Sequence, residues 1–287
     1  MNIQKLSLVL CLCTLIASYG QNKNYNTLTT GPQKGSLVVV GGGKVGKAIT
    51  ERFIELAGGL NANIVVIPTA AGGAIDENNV WFANQLESYG ATNVTVLHTY
   101  DKKEADTGSF VKPLTEATAV WFGGGRQWRL VDAYSGTKAE KLFWRILNQG
   151  GVIGGSSAGA TIQGSYLARG DTKNNQIMMG DHEKGFGFIK NIAIDQHVLA
   201  RNRQFDMFDI LKNRPELLGI AIDESTAIVV KGDKFEVVGD SKVLVYDGTF
   251  WSREGSALKT VPSKENRFYF LQDGDRYNLK ERKVVVQ

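Results

Sequence analysis

The chain has 287 residues, 33 of them glycine and only 5 proline, with no Gly-X-Y period. Glycine exceeds its average share of roughly 7%, yet the low proline count and missing period exclude collagen-like and Pro/Gly low-complexity chains. A hydrophobic content of 43% with 22% charge suits a buried core, and the net charge of +4 is spread without basic runs, so nucleic-acid binding is not indicated.

Residues 1–20 carry the pattern of a secretory signal: a weakly positive start through Lys5, an apolar run over Leu6–Ala17, then Ser18 and Gly20 around Tyr19. Cleavage is expected before Gln21, giving a secreted or periplasmic protein; a retained anchor is the alternative. The apolar run is shorter than the roughly 20 residues of a spanning helix, so no stable membrane span is expected. Both cysteines, Cys11 and Cys13, fall in this segment. The exported chain then has no disulfide, thiolate metal site or cysteine nucleophile. Residues 21–34 are polar and aperiodic, and read as a flexible lead-in.

From residue 35 onward, short apolar runs alternate with helical periodicity. Strands are expected at Leu37–Val40, Ile64–Ile67, Val94–Leu97, Ala119–Phe122 and Val152–Ile153. Helices are expected over Ala48–Leu56, about Ile75–Tyr89, and around the face made by Ala139, Leu142, Phe143, Ile146 and Leu147. Strands apolar on both faces that alternate with helices imply an α/β fold, a mostly parallel sheet with helices on both faces. After about residue 215, Leu218–Ile222, Ala227–Val230, Phe235–Val238 and Val243–Tyr246 read as antiparallel strands on the sheet edge. No linker interrupts 35–287, which reads as one α/β domain with a β-rich C-terminal extension.

Twelve of the 33 glycines lie in three clusters that each follow an expected strand: four within 41–46, three at 123–125 and five within 150–159. The first, GGGKVG over Gly41–Gly46, has dinucleotide-site spacing. It lacks the acid at the end of the second strand that would hold a ribose, and Ala48 stands where a phosphate-binding loop needs a hydroxyl for magnesium. A tight strand-to-helix turn facing a substrate pocket is the better reading. The second, Gly123–Gly125, lets backbone N–H groups approach a ligand and points to an anion or oxyanion site. The third contains Gly155-Ser156-Ser157-Ala158-Gly159, the G-x-S-x-G of a nucleophile elbow. Small neighbours there let Ser157 occupy a strained turn, and the Ala158 N–H can help to hold an oxyanion.

A serine is a weak nucleophile until a positioned base takes its proton. Of the three histidines, His98 reads as structural at a strand end and His182 as solvated in a polar loop. His197 follows an expected strand, beside Arg201 and Arg203, and is the better base. Too few imidazoles cluster for a metal site, so neither metal nor cofactor is expected.

At these residues the chain resembles the cyanophycinases and the related aspartyl dipeptidases, serine peptidases on a fold related to class I glutamine amidotransferases. The resemblance runs over roughly 35–250. It is carried by LVVVGGG (37–43), RFIELAGG (52–59), IVVIPTA (64–70), FGGGRQ (122–127), GGSSAGA (154–160), DQH (195–197) with Arg201 and Arg203, and GIAIDE (219–224). It implies Ser157 as nucleophile and His197 as general base. The backbone of Gly124 or Gly125, with Ala158, would form the oxyanion hole, and Gln127, Gln196, Arg201 and Arg203 would lie on the substrate side. For the third triad member it implies an acid between serine and histidine, for which Asp171 is preferred over Asp195; if neither reaches His197, the candidates are Asp181, Glu183 and Glu224.

Two positions depart from the family pattern: Arg126 where an acid is usual, and Asp206 where an arginine is expected. Arg126 is a further substrate-side candidate, and pocket charge is altered at both places. The absent cysteine excludes glutaminase chemistry. The expected function is an exported serine-type peptidase that cleaves peptide or isopeptide (β-aspartyl) bonds through a Ser-His-acid triad and an acyl-enzyme. Alternatives are an α-aspartyl dipeptidase or exopeptidase, and a non-catalytic protein binding a small anion or nucleotide. Its partner would be a peptide or isopeptide substrate, with a homodimer compatible.

Overall fold

The computed structural model describes residues 28–253, 263 and 266–286. The expected signal segment and its cysteines lie outside these residues. Five short strands, β1 (Ser36–Val40), β2 (Asn63–Ile67), β3 (Asn93–Val96), β4 (Ala119–Phe122) and β5 (Val152–Ser156), alternate with α1 (Lys47–Ala57), α2 (Trp81–Ser88), α3 (Gln127–Tyr134) and α4 (Lys138–Asn148). After α5 (Ala158–Thr161) come β6 (Gly164–Tyr166), β7 (Ile189–Gln196), α6 (Met207–Asn213) and β8 (Leu218–Ile222). The remainder supplies β9 (Thr226–Lys231), β10 (Lys234–Gly239), β11 (Val243–Tyr246), β12 (Tyr269–Leu271), β13 (Arg276–Asn278) and β14 (Lys283–Val285).

Two sheets result. The larger has the order β14-β13-β10-β9-β1-β5-β4-β2-β3 and the smaller β12-β11-β8-β7-β6. β1 to β5 are parallel to their neighbours within that set, while β9 runs antiparallel to β1 and carries β10, β13 and β14 outward. The α/β sheet with antiparallel strands toward the C-terminus is therefore present. One expected placement is corrected: Leu218–Ile222 is not an antiparallel edge strand. It pairs parallel with β7, and β11 then adds antiparallel to it in the second sheet. β8 is buried along its whole length, as a strand covered on both faces must be.

Side-chain alternation explains the layering. Leu37 and Val39 enter one core with Phe122, Phe143, Ile192 and Ile220, between the first sheet, α3 and α4, and the second sheet. Val38 and Val40 point the other way, onto Ile49, Phe53, Phe82 and Leu86 of α1 and α2. α6 covers the far face of the second sheet with Met207 and Ile210. α4 begins as its sequence directs: Thr137 Oγ1 accepts from the Glu140 N–H, and Glu140 reaches back to the Gly136 N–H. Two expectations need adjustment. The helix expected from Ile75 starts only at Trp81, because Asp76 accepts from the Asn78 N–H and closes a separate short turn. The described end of the lead-in is packed: Thr29 is buried and Thr30 bridges to Lys190.

Candidate active site

In a parallel sheet every strand ends at the same edge, and ligands sit beyond those carboxyl ends. Register places Val40 opposite Ser156, Phe122 opposite Gly155 and Ile67 opposite Phe122. The three glycine clusters after β1, β4 and β5 therefore share one edge. The second sheet reaches it too, because the His197 N–H donates to the Gly41 carbonyl just past β7, whose last residue Gln196 pairs with Ile222 of β8. The residues just past those ends, His197 and Glu224, come side by side.

Ser157 sits in the turn between β5 and α5 at φ 57° and ψ −111°, a conformation costly for a side-chain-bearing residue. The surroundings explain the small neighbours. A Cβ on Gly155 would lie 2.3 Å from the Gly159 carbonyl oxygen, and one on Gly159 would lie 2.0 Å from that of Phe122. The Ser157 N–H is held by the Val40 carbonyl at 3.0 Å.

Ser157 Oγ lies 2.9 Å from Nε2 of His197, whose Nδ1 is 2.5 Å from Oε1 of Glu224. A carboxylate only accepts, so Glu224 selects the tautomer with the proton on Nδ1 and leaves Nε2 free to accept from the serine. His197 also has positive φ, and its N–H donates to the Gly41 carbonyl at 2.8 Å. Burial holds its pKa below the ordinary histidine value against the opposing bond from Glu224, and the charges of Arg201 and Arg203 lower it further. A neutral imidazole is thus favoured near neutral pH, as a general base requires.

The first glycine cluster acquires its reason here. A Cβ on Gly42 would stand 2.2 Å from Cε1 of His197, and one on Gly43 would stand 2.8 Å from Oε2 of Glu224. The cluster backs the imidazole and its carboxylate and joins the two sheets: the Ser225 N–H donates to the Gly42 carbonyl. Gly124 lies against the nucleophile, its missing Cβ 3.4 Å from Ser157 Cβ. Among the described residues, the N–H groups of Gly124 and Gly125 have no acceptor, and Ala158 opens α5, where the helix leaves N–H groups unpaired. These donors lie on the β4–α3 and β5–α5 turns, which meet where Gly124 packs against Ser157.

The acid differs from the expected one. Asp171 Oδ1 accepts from the Lys173 and Asn174 N–H groups and closes its own turn, so it is not the carboxylate at His197. Asp195 is fully buried and held by both arms of the Arg169 guanidinium at 2.7 and 2.8 Å. Glu224 takes the place expected for either. Its signal in the sequence is the second carboxylate of the Asp223-Glu224 pair that follows β8, one of the three fallback acids, which the preference for an acid between serine and histidine ranks behind Asp171 and Asp195.

The remaining candidates separate. A cavity of about 520 Å³ opens beside Ser157 and His197, lined further by Pro68, Ile75, Asp76, Val80, Trp81 and Arg201. Of the substrate-side candidates, Arg201 alone lines it. Gln127 is buried and donates to the Ala168 carbonyl, while Arg203 donates to both the backbone and side-chain oxygens of Gln196. Arg126 donates to the Asp171 carbonyl. Asp206 accepts from Arg169 at 2.6 Å, which accounts for a carboxylate at that place. His98 bonds to Thr69, and His182 bridges Asp132 and Asp181. Among the described residues no group of His, Cys, Asp and Glu is arranged to hold a metal, and no helix is long and apolar enough to cross a membrane.

Comparison with known proteins places the chain in a peptidase family. The profile described as peptidase family S51 matches residues 37–238. The chain is similar to a cyanophycinase of Geminocystis herdmanii, 32% identical over 262 residues that span 86% of this chain and 94% of the relative. It is also similar to a cyanophycinase of a Nostoc species, 28% identical over 284 residues and 92% of each chain. Among solved structures, that of a peptidase from an acI-B1 Actinobacterium is similar at a TM-score of 0.64 and 25% identity, over 86% of this chain and 98% of that one.

Proposed function

Since the chain belongs to peptidase family S51 and is a serine-type peptidase, we propose that it is exported and hydrolyses peptide or isopeptide (β-aspartyl) bonds through Ser157, His197 and Glu224. The observation that carries this reading is the continuous hydrogen-bonded chain from the Ser157 hydroxyl through His197 to Glu224, at the wall of a cavity. His197 Nε2 takes the serine proton as Oγ attacks the substrate carbonyl, and Glu224 stabilises the imidazolium. The oxyanion rests on the N–H groups of Gly124 or Gly125 and Ala158. The imidazolium protonates the leaving amine, the acyl-enzyme forms, and water activated by His197 releases it.

The cavity supports a substrate of the cyanophycin kind. Besides His197, its charged lining groups are Asp76 and Arg201, and neither is in an ion pair among the described residues. A guanidinium stem could lie along Ile75, Val80 and the half-exposed Trp81 with its head at Asp76, while a substrate carboxylate meets Arg201. β-Aspartyl-arginine carries both charges.

The test is labelling with a fluorophosphonate probe, beside a Ser157→Ala variant of the same stability. We expect the wild type to be labelled and the variant blank; an unlabelled, folded wild type would sink the hydrolase mechanism. Turnover of cyanophycin and β-Asp-Arg against α-aspartyl dipeptides then separates the isopeptide reading from α-aspartyl exopeptidase activity. Export is tested by N-terminal sequencing of the protein from the periplasm or medium, where the chain should begin at Gln21.

A further inference from the structure

We propose that Arg129 is a positioning residue for the oxyanion donors, binding the Thr69–Ala71 turn and the Gly123–Gly125 loop into one rigid unit. The inference rests on the reading of Ser157 as nucleophile. The Gly123–Gly125 loop has no side chains of its own, and glycine loses more freedom on ordering than any other residue. Yet oxyanion donors act only when they stand about 2.7–3.1 Å from the developing charge before the reaction begins. Something outside the loop must fix it.

The turn after β2 supplies the anchor. The Gly123 N–H donates to the Ile67 carbonyl at 2.9 Å, and the Arg126 N–H donates to that of Ala70 at 2.8 Å. Gly125, at φ +139°, runs so close that an added Cβ would lie 2.0 Å from the Ala70 oxygen. Arg129, on the first turn of α3, donates from Nη1 to the Ala70 carbonyl at 2.9 Å and the Ala71 carbonyl at 3.0 Å. It forms no ion pair among the described residues. A charged group aimed at two consecutive carbonyls gives the stronger, charge-assisted class of hydrogen bond to a turn that would otherwise be held by neutral ones.

Three more features point the same way. A Cβ on Gly72 would fall 2.3 Å from Arg129 Nη1, so the turn is left open where the guanidinium enters. The guanidinium carbon also lies 5.1 Å from the ring centre of Trp128, which fixes its direction. At the far end of α3, Tyr134 Oη meets Thr69 Oγ1 at 2.6 Å in a buried contact. The helix is thus pinned to one turn at both ends, and the glycine loop is the short segment enclosed. The same turn lends Pro68 and Ala71 to the cavity wall, so Arg129 couples the wall to the oxyanion donors.

The experiment compares the full chain with Arg129→Ala, Arg129→Lys and Arg129→Gln, using a dipeptide that the wild type hydrolyses. The readouts are kcat, KM, thermal midpoint, and inhibition by a peptide aldehyde, which forms a tetrahedral adduct on Ser157, against inhibition by the reaction product. For Arg129→Ala we expect kcat to fall roughly 10- to 100-fold with KM within about 3-fold. Aldehyde affinity should fall by the same factor while product affinity holds, and added guanidine should restore part of kcat. Lysine should restore only part of kcat, because its ammonium keeps the charge for the two carbonyls but lacks the planar guanidinium face that lies over Trp128. The proposal is overturned if kcat stays within about 3-fold of wild type, or if aldehyde and product affinities fall together, as a merely structural role would produce. Should Arg129→Ala fail to fold, Arg129→Gln and Tyr134→Phe decide by the same split. A wild type that neither turns over substrate nor takes the fluorophosphonate overturns the underlying mechanism; an active wild type with an unaffected Arg129→Ala overturns this inference alone.

Discussion

Replacing Glu224 by glutamine removes the charge facing Nδ1 of His197 while keeping an oxygen in reach. In the transition state the imidazole is protonated, and two unit charges about 4 Å apart at an effective dielectric near 20 interact by about 4 kcal/mol. The Glu224 side chain is 38% exposed, so water screens part of this. A net loss of about 2–3 kcal/mol follows, which slows kcat/KM roughly 30- to 150-fold. Asp171→Asn is the control, because that side chain serves only its own turn, and it should keep activity within about 3-fold of wild type. The pH profile adds a second readout. The base must be neutral, so activity rises as pH climbs through the His197 pKa, which burial, together with the charges of Arg201 and Arg203, sets below the usual value of about 6.5. Glu224 raises that pKa, so its loss should move the acid limb to lower pH; Arg201 lowers it, so Arg201→Gln should move the limb up. Steady-state kinetics on β-Asp-Arg between pH 5 and 8 would read all of this. Equal losses in Glu224→Gln and Asp171→Asn, or an acid limb that does not move, would refute the reasoning.

Gly42→Ala should be far more harmful to activity than to stability. The added Cβ would stand 2.2 Å from the imidazole, at φ +121°, so the ring must shift away from Ser157. A displacement of about 1 Å costs on the order of 100-fold in kcat, whereas about 1–3 kcal/mol of strain lowers the thermal midpoint by only several degrees; kinetics beside calorimetry checks the contrast. Asp76→Asn should lower kcat/KM for β-Asp-Arg about 5-fold, corresponding to about 1 kcal/mol for an exposed charge pair, and leave β-Asp-Leu unchanged. Parallel assays of the two dipeptides would show this, and equal losses on both would exclude Asp76 as a reader of the cation.

Several parts of the molecule were legible before any coordinates. The strands of the larger sheet's parallel half are short apolar runs, and their pattern lies in adjacent residues. So does the G-x-S-x-G elbow, whose glycines answer contacts within the same turn and with the neighbouring strand. The helix start at Trp81 was less legible, because helical periodicity continues through Ile75 while Asp76 closes a local turn that the pattern ignores. Arg126, Gln127, Gln196 and Arg203 carry the types that line substrate pockets. Here they hold carbonyls and one another, and only the packing could tell.

The sequence by itself determined the strand order in time, the strained serine and the absence of cysteine beyond residue 20, because each depends on neighbours along the chain. Which carboxylate serves His197 was decided only in three dimensions. Glu224 lies 27 residues further along and meets the imidazole because β7 and β8 pair in a register that sets Gln196 against Ile222. Asp171 lies at about the same distance along the chain on the other side, yet its carboxylate closes its own turn. A triad is a juxtaposition of strand ends, and strand register is a property of packed sheets, since each side chain's face depends on its partner strand.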